Sequence, residues 1–91
     1  MDKKTKKIVL ITGGTRGIGA AIVEKFVKTN HVVYATATSE RNAKLISTQI
    51  SKLDGEGQGL VLNLEKDDLS KFVREFMTKF SAPDIFINNA G

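Results

Sequence analysis

The sequence predicts an α/β fold, a doubly wound parallel sheet of about four strands in the order 3-2-1-4 with three helices. Three observations predict it. Short apolar runs recur along the chain, and two of them lack polar alternation, as strands buried on both faces do. Stretches with helical spacing of apolar residues separate these runs, which implies parallel strands joined by right-handed crossovers. A glycine-rich turn lies between the first run and the first helix.

The strand runs are Ile8–Thr12, Val32–Thr36, Gly59–Asn63 and Asp84–Asn88. In the first helix Ile18, Ala21, Ile22 and Phe26 fall at helical spacing, and Asn30 is placed to end it in a left-handed conformation. In the second, Ala43, Ile46, Ile50 and Leu53 form one stripe, with Ser39 as N-cap. In the third, Leu69, Phe72, Val73, Phe76 and Phe80 trace one face, and Asp67 and Asp68 suit its positive end. The segment from Asp54 to Gly59 reads as a flexible glycine-rich connection, and Ser81-Ala82-Pro83 as a break before the last strand. As the outermost strand, Ile85-Phe86-Ile87 would be an apolar edge open to pairing with another chain, either a second copy or a complementary fragment.

Composition narrows the function. At 91 residues the whole chain, 1–91, fits one small domain, with residues 1–7 as a basic tail. Hydrophobic residues at 41% and charged residues at 26% are ordinary for a soluble globular protein. No cysteine and one histidine exclude disulfides, thiolate sites and multi-histidine metal sites. No apolar run has the length of a membrane span, and Ile8–Ile11 is too short for a signal-peptide core, so a cytoplasmic protein without a membrane partner is expected. The net charge of +4 owes much to four lysines in the first seven positions, and no aromatic-basic interleaving points to nucleic acid.

The turn Thr12 to Gly19, T-G-G-T-R-G-I-G, carries the chemistry. Gly13 permits a tight exit from the strand, Gly17 lets the backbone approach a pyrophosphate, and Gly19 lets the helix pack close to the sheet. The helix N-terminus then offers free N–H groups and a positive dipole end to phosphates. With a strand before, a helix after and a β-α-β continuation, the turn has the context of a Rossmann-type dinucleotide site. A purely structural turn is the alternative. NAD sites usually place a carboxylate at the end of the second strand, but this chain has Ala35-Thr36-Ala37-Thr38-Ser39 there. Thr38 and Ser39 can donate to a 2′-phosphate, and Arg16 suits one, so NADP is the expected cofactor. Helix capping by these hydroxyls is compatible with that role.

The spacing Thr-Gly-x-x-x-Gly-x-Gly resembles the short-chain dehydrogenase/reductase family, and Asn88-Asn89-Ala90-Gly91 resembles its second signature. Within it, the stretches TRGIG, ATATSE, GLVLNL and DIFINNAG are similar to those of bacterial 3-oxoacyl-[acyl-carrier-protein] reductases. The resemblance implies NADPH-dependent reduction of a 3-oxoacyl thioester in fatty-acid synthesis, by an enzyme that is oligomeric at full length. It implies that Gly13, Gly14, Thr15 and Arg16 contact the phosphates and that Thr38 meets the 2′-phosphate. Asn63 and Leu64 would then flank the adenine, and Asn89 would lie against the cofactor ribose. The expected cofactor-binding set is Gly13, Gly14, Thr15, Arg16, Gly17, Ile18, Gly19, Thr38, Ser39, Asn63, Leu64, Asn89, Ala90 and Gly91, with no catalytic or metal-binding residue. Asn63 stands where Asp is common elsewhere in the superfamily, and His31 where Gly is frequent.

The resemblance also implies a catalytic Ser and a Tyr with Lys four residues later, all beyond the second signature. The sole tyrosine, Tyr34, has Thr38 four residues on and reads as a packing residue. Three readings follow: the cofactor-binding portion of a reductase, a non-catalytic dinucleotide-binding or interaction module, or a non-functional remnant. The stop at Gly91, directly after a signature motif, favours the first, and an acyl-carrier-protein-linked substrate is expected only if the full enzyme exists.

Overall fold

The computed structural model describes residues 6–90. The elements are β1 (Ile8–Thr12), α1 (Gly17–Lys28), β2 (Val32–Ala37), α2 (Glu40–Lys52), β3 (Glu56–Val61), α3 (Leu69–Lys79) and β4 (Ile85–Asn88). All strands pair in parallel in the order β3-β2-β1-β4, which is the α/β architecture the sequence predicts. The register sets Leu10 beside Tyr34 on one side and Phe86 on the other.

Strand side chains alternate between two layers. On one face Val9, Ile11, Val33 and Ala35 pack against Val23 and Val27 of α1 and Ala43, Ile46 and Ile50 of α2. On the opposite face α3 packs over β2. Tyr34 meets Phe76 edge-on at 5.1 Å and lies 4.5 Å from Phe80, the C-cap of α3. Phe86 of β4, at the edge of the sheet, is 44% exposed.

Local signals act where the sequence places them. Ser39 Oγ accepts from Asn42 N at the start of α2, and Asp68 accepts from Ser70 N and Lys71 N at the start of α3. Asn30 has φ 67, and His31 stands beside it with Nδ1 3.2 Å from Thr29 Oγ1.

Three expectations need correction or qualification. The third strand begins at Glu56, not Gly59, so most of the supposed flexible connection is strand. Its glycines serve close approach, as interior strand glycines often do. A Cβ on Gly57, which has φ 123, would collide with the Val33 carbonyl, and one on Gly59 with the Ala43 carbonyl. The buried positions of α1 are Gly19, Val23 and Val27, whereas Ala21 is exposed and Ile18 is 74% exposed. Ile22 and Phe26 do pack against the core, whereas Ile18 lies in the first turn, next to the glycine-rich turn, so the spacing found the helix and only part of its buried face. Residues 1–5 of the expected basic tail and Gly91 lie outside the described residues. Lys6 and Lys7 are tied to the sheet: Lys6 Nζ pairs with Glu56 at 2.6 Å, and the Lys7 carbonyl accepts from Val32 N at 2.9 Å.

Candidate functional site

The turn after β1 is stitched to the strands on either side. Gly13 N donates to Thr36 Oγ1 and Gly14 N to the Thr36 carbonyl, both at 3.0 Å. From β4, the Thr12 hydroxyl donates to Asn88 Oδ1 at 2.8 Å and accepts from Ala90 N at 3.2 Å. Asn89 Nδ2 donates to the Gly13 carbonyl at 2.7 Å. The geometry requires glycine here. Gly13 has φ 77, and a Cβ on Gly19 would collide with the Gly13 carbonyl.

The turn delivers the chain into α1 with its N-terminus open. Arg16 is the N-cap residue, makes no side-chain cap, and is followed by no acidic residue in the first turn. The first N–H groups of a helix have no intrahelical acceptor, so this end presents donors and a partial positive charge. Gly17 has φ 61, and a Cβ there would meet nothing within 4 Å, so the space beyond it is open.

A shallow cleft of about 380 Å³ lies at the same edge of the sheet, lined by Thr38, Leu62, Asn63, Leu64, Glu65 and Ala90. Four sequence-predicted residues, Thr38, Asn63, Leu64 and Ala90, thus meet there from three separate segments. Asn63 is held by its own loop: Oδ1 accepts from Glu65 N at 3.0 Å, and its N–H donates to Asp67 Oδ2 at 2.8 Å. Its carboxamide nitrogen takes part in neither bond.

The sequence pattern of the family described as short chain dehydrogenase matches residues 7–91. The chain belongs to that family. It is 43% identical over 86 residues to the 3-oxoacyl-[acyl-carrier-protein] reductase FabG of Haemophilus influenzae. The FabG proteins of Salmonella typhimurium and Escherichia coli are 42% and 40% identical over the same length. Each match covers 93% of this chain but 34% of the relative, so the chain spans about a third of the length of these curated relatives.

Membership in the short-chain dehydrogenase family implies a nicotinamide dinucleotide cofactor, and the local chemistry fits one. The uncapped N-terminus of α1, the open space at Gly17 and the cleft running from Thr38 to Ala90 suit phosphates and a flat base. Thr15 is half-buried, and Arg16 and Ile18 are exposed beside it. Ser39 is half-buried, and its Oγ caps α2 at 3.2 Å from Asn42 N, which leaves the hydroxyl proton to donate elsewhere. Asn89 supports the turn through one Nδ2 hydrogen, which leaves the other and the carboxamide oxygen to bond elsewhere.

The sequence reading gives Thr36 no role in this site, takes Thr12 only as the first residue of the turn, and takes Asn88 only as a signature residue. Thr12 and Thr36 are almost wholly buried, and their hydroxyls fix the turn. A signal existed, because a threonine at the end of a buried strand must find a hydrogen-bond partner. Tyr34 sits away from the site among Phe76 and Phe80, and burial, then the Glu56 carboxylate, push its phenol above the usual tyrosine range.

Proposed function

We propose that the chain is the NADP(H)-binding portion of a cytoplasmic reductase that converts 3-oxoacyl-[acyl-carrier-protein] to 3-hydroxyacyl-[acyl-carrier-protein] in fatty-acid synthesis. The observation that carries this reading is the convergence of Thr38, Asn63, Leu64 and Ala90 on one cleft beside the uncapped start of α1. The names of the relatives support the substrate class. On this reading the whole chain is one dinucleotide-binding domain without nucleic-acid or membrane partners.

The backbone from Gly13 to Gly19 cradles the pyrophosphate with the N–H groups of the turn and the first turn of α1. Arg16, Thr38 and Ser39 bind the 2′-phosphate, which meets no carboxylate between the end of β2 and Glu40. Asn63 and Leu64 flank the adenine, Ile18 supplies an exposed apolar contact, and Asn89, Ala90 and Gly91 border the ribose near the nicotinamide. Bound NADPH supplies the hydride of such a reduction.

Reduction also needs a group that gives the carbonyl oxygen a proton. Tyr34 is the only tyrosine, it packs in the α3 layer, and its neighbour four residues on is Thr38 rather than lysine. The chain by itself therefore binds cofactor without turning substrate over.

Titration of NADPH and NADH against the purified chain, read by nicotinamide fluorescence, tests the reading. Saturable binding with NADPH the tighter ligand is expected. No saturable binding would leave a remnant without function, and tighter NADH binding would overturn the cofactor choice. Reduction of an acetoacetyl thioester by this chain alone would refute the division of labour.

A further inference from the structure

Among the described residues β3 forms one edge of the sheet and pairs with β2 alone. Backbone groups of successive strand residues point to opposite sides, and Leu62 N donates inward to the Ala37 carbonyl at 2.8 Å. Gly57, Gly59 and Val61 therefore turn their N–H and C=O groups outward. The central one of these N–H groups is answered from within the chain: Gly59 N donates to Ser47 Oγ of α2 at 2.9 Å. An edge strand is a template for another chain, and a side chain bonded to its backbone guards that template.

Clefts flank this edge on both faces. On the α3 side, one of about 220 Å³ is lined by Phe72, Phe76 and Phe80 together with Lys79. On the α2 side, one of about 310 Å³ is lined by Lys44, Ser47 and Gly59 together with Glu40. Leu60 and Val61 line both, so both open onto the same stretch of β3. The side chains of an added strand would alternate between the two clefts, which is how strand addition at a sheet edge gains specificity.

A third cleft, of about 450 Å³, shares Val61 and Phe72 with the α3-side one and adds Lys66 and Lys71. Among the described residues the ion pairs are Lys6–Glu56 and Lys28–Glu24, and neither includes Lys44, Lys66, Lys71 or Lys79. Of the acids lining these clefts, Asp67 and Asp68 already accept backbone N–H groups. Glu40 and Glu75 are left to answer the four lysines, so the edge carries a surplus of positive charge.

We propose that the outer edge of β3 docks an extended, acidic segment of a partner protein with an apolar residue at every second position, and that Ser47 is the internal competitor this segment displaces. The apolar residues meet the phenylalanines of the α3-side cleft, and the carboxylates meet the surplus lysines. The Gly59 N–H exchanges its bond to Ser47 for a main-chain bond to the added strand. This edge is separate from the cleft that Thr38 and Ala90 line, so the proposal stands apart from the cofactor reading.

The test is fluorescence anisotropy of a short labelled peptide of alternating valine and glutamate, titrated with the unsubstituted chain, Ser47→Ala and Lys79→Gln. Saturable binding is expected, weaker at high salt and absent for a peptide of alternating valine and lysine. Ser47→Ala is expected to tighten it about 3- to 10-fold, because the Gly59 N–H loses its internal acceptor. Lys79→Gln is expected to weaken it about 2- to 5-fold. Unchanged or weakened binding in Ser47→Ala overturns the edge pairing, since a peptide that lies in a cleft without joining β3 does not compete with Ser47. Binding of both peptides alike, binding of neither, or indifference to Lys79→Gln overturns the acidic partner. Self-association of the unsubstituted chain that the peptide fails to reverse, read by sedimentation, gives the edge to a second copy and overturns the proposal too. Circular-dichroism melts show which variants are folded, and the exposed Lys79→Gln carries the test if Ser47→Ala unfolds.

Discussion

The starts of α1 and α3 are built in opposite ways. α3 opens on Asp68, whose carboxylate accepts from Ser70 N at 2.9 Å and from Lys71 N at 3.5 Å. α1 opens on Arg16, which caps nothing, follows a glycine-rich turn and precedes a first turn without an acid. By the rules of helix stability α3 is well begun and α1 is not. α2 sides with α3, since Ser39 caps it. The difference separates a helix end that serves the fold from one left open at the edge where the cleft lies. A protein whose local choices otherwise agree tends to break such rules at functional sites.

The severest test removes the space that lets α1 start where it does. A Cβ on Gly19 would collide with the Gly13 carbonyl and come within 2.8 Å of Asn89 Nδ2. Backbone cannot yield there as a flexible side chain would. Gly19→Ala is expected to destabilise the chain by about 1–3 kcal/mol, in the range of overpacked cores. It should also abolish measurable NADPH binding, since the turn and the helix start move together. Urea denaturation and titration check both, and unchanged affinity would show that α1's open end is not the phosphate cradle.

Next comes a substitution that makes α1 resemble α3. Arg16→Asp supplies the missing cap and an acid at the positive end, which should stabilise the ligand-free chain by about 0.5–1 kcal/mol. The same carboxylate faces a bound phosphate, so NADPH affinity should fall by 10-fold or more. A variant that gains stability and keeps its affinity would break the comparison, because the open end would then have no ligand to serve. The reverse substitution sharpens it: Asp68→Ala should cost about 1 kcal/mol in urea denaturation and leave nucleotide affinity unchanged.

How far these differences are legible in the sequence depends on the range of the interaction. Ser39, Asp68 and Asn30 act on backbone within three residues, and each stands where the sequence places it. The parallel sheet follows from four apolar runs and three intervening helices, the order 3-2-1-4 from the Rossmann-type turn, and the fold has both. The start of β3 was not legible, because the meaning of Gly57 and Gly59 depends on Val33 and Ala43, which approach from other elements. Ile18 failed for a similar reason. Helical spacing gives a period, whereas burial depends on where the sheet stands relative to the first turn. In the site, the glycines and Arg16 could be read in sequence, but the hydroxyl bonds of Thr12 and Thr36 needed strands 76 and 23 residues away.

The gentlest test asks what holds the well-capped helix to the sheet. Tyr34 of β2 lies against Phe76 and Phe80, and burial first, then the Glu56 carboxylate, raise its phenol pKa. Both causes penalise the phenolate in the folded chain more than in the unfolded chain. Well below the ordinary tyrosine value of 10.0 the phenol is neutral in both states, so its contribution is fully present and pH-independent there. As pH rises through the ordinary tyrosine value toward the raised one, the unfolded chain loses the proton first and stability falls. Urea midpoints measured from about pH 9 to 11 should therefore decline more steeply in the unsubstituted chain than in Tyr34→Phe. Lysines titrate in the same window in both proteins, so the difference between the curves isolates the phenol. Superimposable curves would mean that Tyr34 is as well solvated folded as unfolded. In that case α3 would rest on its phenylalanines and its cap alone.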